Sequence, residues 1–127
     1  MTPTDTVRAF IDAWNANDID RVVAALHADI HYHNLPLEPI QGRDAVRAYL
    51  KAQANFDWVD WKLLAIAASG GTVLTERIDE FGVGGAHVKL PIMGAFEVLD
   101  GLIIAWRDYF DLAMYRQQRD GRQRDGR

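Results

Sequence analysis

The spacing of apolar residues changes once along this chain. Val7, Phe10, Ile11 and Trp14 recur at i, i+3, i+4 and i+7, the single stripe of an amphipathic helix. Thr2, Pro3 and Asp5, ahead of that stripe, read as an N-cap, a first-turn proline and a capping box. "NAND" at 15–18 interrupts the pattern. Ile19, Val22, Val23 and Leu26 then define a second helix that ends near His27 to Asp29. The link between the two is so short that they should pair antiparallel. "DIHYHNLPLEP" reads as a short strand running into two prolines. A third helix follows "QGRD", with Val46, Tyr49, Leu50 and Gln53 on its inner side.

Past Phe56 the period becomes two. "DWVDWKLLAIAA", "TVLTERIDEF", "HVKLPIMGAFEVL" and "LIIAWRDYFDL" read as four strands, turned by "SGG", "GVGGA" and the tight "DG" at 100–101. Strands joined by hairpins make an antiparallel meander. Helices first and strands after predict an α+β fold. Three helices pack on one face of a curved, mostly antiparallel sheet, and the two together form a cone with an apolar interior.

Polar residues interrupt the inner faces. In the last strand Ile104, Trp106, Asp108 and Phe110 share one face, and Ile103, Ala105, Arg107, Tyr109 and Asp111 the other. Asp108 thus falls within a core face, where an isolated carboxylate costs several kcal/mol or gives up its charge. In "TVLTERIDEF" both faces are mixed: Val73, Thr75, Arg77, Asp79 and Phe81 against Leu74, Glu76, Ile78 and Glu80. Periodicity alone does not choose between them. Tyr32 and Asn34 share a parity opposite to His31 and His33, while Val88, Leu90, Ile92, Gly94 and Phe96 form an apolar face.

One arrangement accounts for these four strands. The interior carries Tyr32, Asn34, Arg77, Asp79 and Asp108, within an apolar wall of Leu35, Phe81, Leu90, Ile92, Trp106 and Phe110. A planar guanidinium can donate to two carboxylates at once. Two acids that share one arginine can hold one proton between them near neutral pH.

Composition narrows the function classes. At 127 residues the chain is one domain, and the absence of cysteine excludes disulfides, thiolate nucleophiles and cysteine metal sites. The first residues lack the basic and apolar regions of a secretory signal, and no apolar run spans a membrane, so a cytoplasmic protein is expected. The last 12 residues carry +3 and the rest −7 of the net −4. That acidic body argues against nucleic acid as a partner. The tail, 116–127, contains "QRDGR" twice and is expected to be disordered, leaving 1–115 as the folded domain.

"YHNLPLEPIQGRDAV", "ERIDEF", "LPIMGAFEV" and "DGLIIAWRDYFDL" together resemble the limonene-1,2-epoxide hydrolase family over roughly residues 3–115. That family has the cone-shaped fold named after nuclear transport factor 2, shared with ketosteroid isomerases and polyketide cyclases. The resemblance implies a catalytic set of Tyr32, Asn34, Arg77, Asp79 and Asp108. It implies one-step hydration of an epoxide to a vicinal diol, with no cofactor, no metal and no covalent intermediate. Asp79 would be the acid, Asp108 the base, Tyr32 and Asn34 partners of the water, and Arg77 the bridge. A homodimer through the outer sheet face is implied as well.

Plainer readings stand beside these. The Arg77, Asp79 and Asp108 set could be a structural ion network. Trp14, Trp58 and Trp61 read as packing. His31 and His33 share a strand face but lack a third zinc-type ligand, so surface or interface histidines are expected. Arg107 and Asp111 read as outward salt-bridge partners. "GVGGA" lacks the context of a nucleotide loop, and there is no G-x-S-x-G elbow. The competing functions are an isomerase or cyclase on the same fold, or a non-catalytic binding module.

Overall fold

The structure, a computed structural model, describes residues 1–121. Helix α1 spans Pro3–Asn15 and begins as the sequence predicts. Thr2 Oγ1 accepts from the Asp5 backbone N–H, and Asp5 Oδ2 accepts from the Thr2 N–H, with Pro3 at the first helical position. Helix α2 (Ile19–Ala24) is capped by Asp18, and α3 covers Arg43–Gln53. Six strands follow this order: β1 Leu26–Asn34, β2 Ile40–Gln41, β3 Trp58–Ser69, β4 Thr72–Val83, β5 Ala86–Leu99 and β6 Leu102–Tyr109. They form one sheet in the order β2-β1-β6-β5-β4-β3. Every neighbouring pair is antiparallel except β1 with β6. The α+β class and the β3–β6 meander therefore stand as expected.

The hairpin from β5 to β6 turns on Asp100 and Gly101, with φ of 52° and 78°. Two consecutive left-handed residues match the twist of the strands they join, which is why Asp-Gly is favoured there. Stripe residues of α1 enter the concave face of the sheet. Phe10 meets Trp106 edge-on at 4.9 Å, and Trp14 stacks on Trp61 at 4.8 Å. Each such side chain, fully buried, contributes about 1.5–3 kcal/mol. Trp14, Trp61 and Trp106 of this layer also form part of the wall of a cavity.

Four expectations require correction. The second helix ends at Ala24, not near His27 to Asp29, because β6 captures the chain. Ile103 N–H donates to Ala25 O at 2.9 Å, and Leu26 is the first residue of β1. In β6 the inward residue near the hairpin is Ile103, fully buried, rather than Ile104. Glu97 pairs with Ala105 and Val98 with Ile103, so Ile104 is the extra residue of a bulge that shifts the phase by one.

The folded part also continues past residue 115. Helix α4 (Leu112–Arg119) crosses the expected boundary, so 116–119 are ordered in a helix, while 122–127 lie outside the described residues. Gln118 holds α4 to β5 by accepting from the Lys89 backbone N–H and donating to its carbonyl. Asp111, expected to be a salt-bridge partner, is instead the N-cap of α4, accepting from Met114 N–H at 3.1 Å. Among the described residues no helix is long and apolar enough to cross a membrane.

Candidate active site

Strand register assembles the site. Asn34 lies opposite Asp108, Asp108 opposite Gly94, and Gly94 opposite Thr75, so these four make one row across β1, β6, β5 and β4. Arg77 and Asp79 follow Thr75 at two-residue steps on the same face of β4. The structure thus chooses the odd-numbered face of that strand, where Val73, Thr75, Arg77, Asp79 and Phe81 are all buried.

Arg77 is the hub. Its Nε and Nη2 donate to Asp79 Oδ1 and Oδ2, each at 2.9 Å, a bidentate pair. Nη2 also donates to Asp108 Oδ2 at 3.1 Å, and Nη1 donates to Thr75 Oγ1 at 3.0 Å. The guanidinium lies 4.7 Å from the centre of the Trp61 ring. It has no solvent exposure and does not line the cavity; it sits behind the two acids, which do. Gly94 makes this reach possible. A Cβ there would come within 2.9 Å of Asp108 Oδ1 and 2.8 Å of Thr75 Oγ1, and closer still to Arg77 Nη1.

Trp106 Nε1 donates a second bond to Asp108 Oδ2 at 3.1 Å, while Asp108 Oδ1, also buried, accepts from no protein donor among the described residues. Tyr32 stacks on the Trp106 ring at 4.0 Å, and its hydroxyl accepts from Asn34 Nδ2 at 2.8 Å. That leaves the phenolic proton and the Asn34 Oδ1 available to a ligand.

Burial decides the electrostatics. Burial raises the Asp79 carboxyl more than Arg77 lowers it, the charge of Asp108 adds to the rise, and the balance leaves it at about 6. Burial also opposes the charge of Arg77, but Asp108 and Asp79 outweigh it and hold the guanidinium firmly protonated. Burial, and then Asp108, raise Tyr32 well above the usual phenol range, so it remains a proton donor.

The acids face a cavity of about 230 Å³. Phe81, Leu90, Ile92, Trp106 and Phe110 line it, as expected. Leu35 does not. Its N–H donates to Asp108 O at the end of β1, Leu37 N–H then donates to Asn34 O, and this turn delivers Leu37 to the cavity instead. All five residues predicted for the site come together: Arg77, Asp79 and Asp108 in direct contact, and Tyr32 and Asn34 at the same cavity. His31 and His33 find local partners in Gln41 and the Leu37 carbonyl, and Arg107 pairs with Glu97 at 2.9 Å.

Sequence reasoning missed Thr75, Gly94 and the Trp61 platform under Arg77. It also missed Tyr115, Arg116 and Arg119, which α4 adds to the cavity lining. Two signals were present: Thr75 shares the parity of Arg77, and Gly94 is the one position without a side chain in an apolar alternation.

Fold and site together define a small enzyme with a cone-shaped α+β body and a buried Asp–Arg–Asp set. A sequence model of the limonene-1,2-epoxide hydrolase catalytic domain matches residues 1–119. The epoxide hydrolase EphG of Mycobacterium tuberculosis is 39% identical over 106 residues, 84% of this chain and 71% of EphG. A solved M. tuberculosis limonene-epoxide-hydrolase-like epoxide hydrolase superposes with a TM-score of 0.81 at 35% identity, covering 91% of this chain and 87% of that one. A protein of ketosteroid isomerase-like fold from Catenulispora acidiphila has a TM-score of 0.78 at 20% identity over 93% of both chains, which shows the shared fold. The chain is an enzyme belonging to the limonene-1,2-epoxide hydrolase family.

Proposed function

We propose that the enzyme adds water to a small, mostly apolar epoxide and releases a vicinal diol in one step. One observation carries this reading: a single buried arginine bridges two carboxylates that both face an apolar cavity. Water in such a cavity can be held by three groups. It donates to Asp108 and to Asn34 Oδ1 and accepts from the Tyr32 hydroxyl, which leaves one lone pair for attack. As that oxygen bonds to an epoxide carbon, its proton passes to Asp108. The C–O bond breaks on the far side of that carbon, and Asp79 gives its proton to the departing oxygen.

At the end Asp108 holds a proton and Asp79 is charged, so one proton must return before the next turnover. Arg77 remains cationic throughout and keeps the pair at one net negative charge. The acid and the base each supply roughly 10²–10⁴-fold, and fixing the water against the ring adds a proximity contribution.

Single turnover in ¹⁸O-labelled water tests the mechanism. Direct hydration puts the label in the diol at once. Label found first in a protein carboxylate means a covalent ester and overturns the one-step route. Leu74, Met93 and Tyr109, exposed on the convex side of the sheet, support a homodimer through that face. Light scattering at the monomer mass would exclude it.

A further inference from the structure

The charged groups that line the cavity fall into two sets. Asp79 and Asp108 lie at its inner end, and Arg116 and Arg119 come from α4; among the described residues no other lining residue carries a formal charge. Arg107 pairs with Glu97, and Lys62 with Asp60 and Glu80, but neither guanidinium of α4 is paired with a carboxylate among the described residues. What sets these arginines apart is their place in the cavity lining, since Arg21, Arg43 and Lys89 likewise form no ion pair with a carboxylate among the described residues. Arg119 is nonetheless held in place: its Nη1 donates to the Tyr115 hydroxyl at 3.0 Å and its guanidinium lies over that ring. Tyr115 in turn packs against Phe81 and Phe110 in the cavity wall. The helix is fixed at both ends, by the Asp111 cap and by Gln118 on β5.

Resting on the epoxide hydrolase reading above, we propose that the substrate carries a carboxylate, bound by Arg116 and Arg119, with the epoxide at the far, acidic end of the same cavity. With Asp79 protonated, the inner trio of Asp79, Asp108 and Arg77 carries no net charge and does not repel an anion. Two cations then set the sign of the cavity on a chain whose first 115 residues carry −7. A short carboxylate-bearing chain satisfies both ends. Its apolar stem lies along Phe81 and Phe110, and its head meets two planar donors suited to bidentate contact.

The test compares the terminal epoxides of hexenoate, octenoate and decenoate with their methyl esters. Its readout is the ratio of kcat/KM for acid over ester, which cancels any general loss of activity. The wild-type ratio should exceed one for at least one chain length, and should shrink as salt rises, since these groups are exposed and screened. In the Arg116→Gln, Arg119→Gln double variant that ratio should fall roughly tenfold, through KM. The matching double Lys variant should keep most of the preference.

An unchanged ratio, or one insensitive to salt, overturns the proposal and leaves both residues as cations complementing the C-terminal end of α4. If neither acid nor ester yields a diol, it is the hydrolase reading that fails. Octanoate binding by calorimetry then still decides the anion site. Binding weakened roughly tenfold in the double Gln variant supports it, and equal binding sinks it.

Discussion

Gly94 offers the sharpest check on the site, because a single methyl group there must disturb the ion bridge and little else. Its φ is not in the left-handed region, so conformational freedom is not what the position requires. Space is. An ordinary contact begins near 3.4 Å, whereas an alanine Cβ would sit 2.8 Å from Thr75 Oγ1, 2.9 Å from Asp108 Oδ1 and still nearer Arg77 Nη1. Thr75 and Asp108 must each retreat by about half an ångström, and Arg77 by more. Thr75 and Arg77 are buried away from the cavity, and Asp108 can retreat only toward the cavity, away from its bond to Arg77.

Overpacking of this kind costs about 1–3 kcal/mol, of which the better strand behaviour of alanine recovers about 0.5–1 kcal/mol. Stability should therefore fall modestly. Catalysis should fall further, because displacement of acid, base and bridge by up to about 1 Å costs roughly 10- to 100-fold. Diol formation measured by chromatography gives kcat/KM, and a denaturant titration gives stability. Gly82→Ala is the control. A Cβ there overlaps the Trp58 ring as severely, but Trp58 is 41% exposed and can swing outward, so activity should hold. Gly94→Ala with wild-type turnover would mean that the bridge is not needed where the structure puts it.

Other expectations follow from the same geometry. If Asp79 must be protonated to act, kcat/KM should fall tenfold per pH unit above about 6, the position to which burial raises it; a profile flat from pH 5 to 9 would remove Asp79 as the acid. The same shift has a stability sign. The folded state binds this proton more tightly than the unfolded chain, so the contribution is fully present below about pH 4 and is lost as pH rises through about 6, which thermal melts in that window can read. Arg77→Lys should lose at least 10²-fold in kcat/KM, because one ammonium cannot reproduce a bidentate pair to Asp79 together with a bond to Asp108; retention of turnover would mean that charge alone suffices. Trp106→Phe keeps a ring beside Tyr32 but removes the Nε1 donor to Asp108 Oδ2. It should cost roughly 5- to 10-fold in kcat with a small change in stability.

What the sequence made legible, and what it hid, divides along physical lines. Parity put Tyr32 with Asn34 on one face and Asp108 on a core face, because strand alternation has no slack over five or six residues. It could not choose between the faces of β4, since Arg77 with Asp79 and Glu76 with Glu80 spoil both equally. The choice is made by pairing: the odd face meets Leu90 and Ile92 of β5, which have nowhere else to go. Parity also failed locally at Ile104, and β3 has a comparable extra residue at Leu64, between Leu63 opposite Arg77 and Ala65 opposite Glu76. Bulges leave no apolar signature, because the inserted residue looks like its neighbours.

Helix α4 was hidden for a different reason. Its stretch 116–119 is entirely polar, and polarity without periodicity reads as tail. Beyond Tyr115, which packs on Phe81 and Phe110, the helix is held by one cap and one side chain, Asp111 and Gln118, whose partners are backbone groups of its own first turn and of Lys89. No hydrophobic pattern encodes bonds of that sort. The acidic end of the cavity was therefore written largely in strand alternation. The part that α4 contributes to the cavity lining depends on two hydrogen-bonding side chains that no pattern marks, and so the sequence reading found the two acids but not the two arginines.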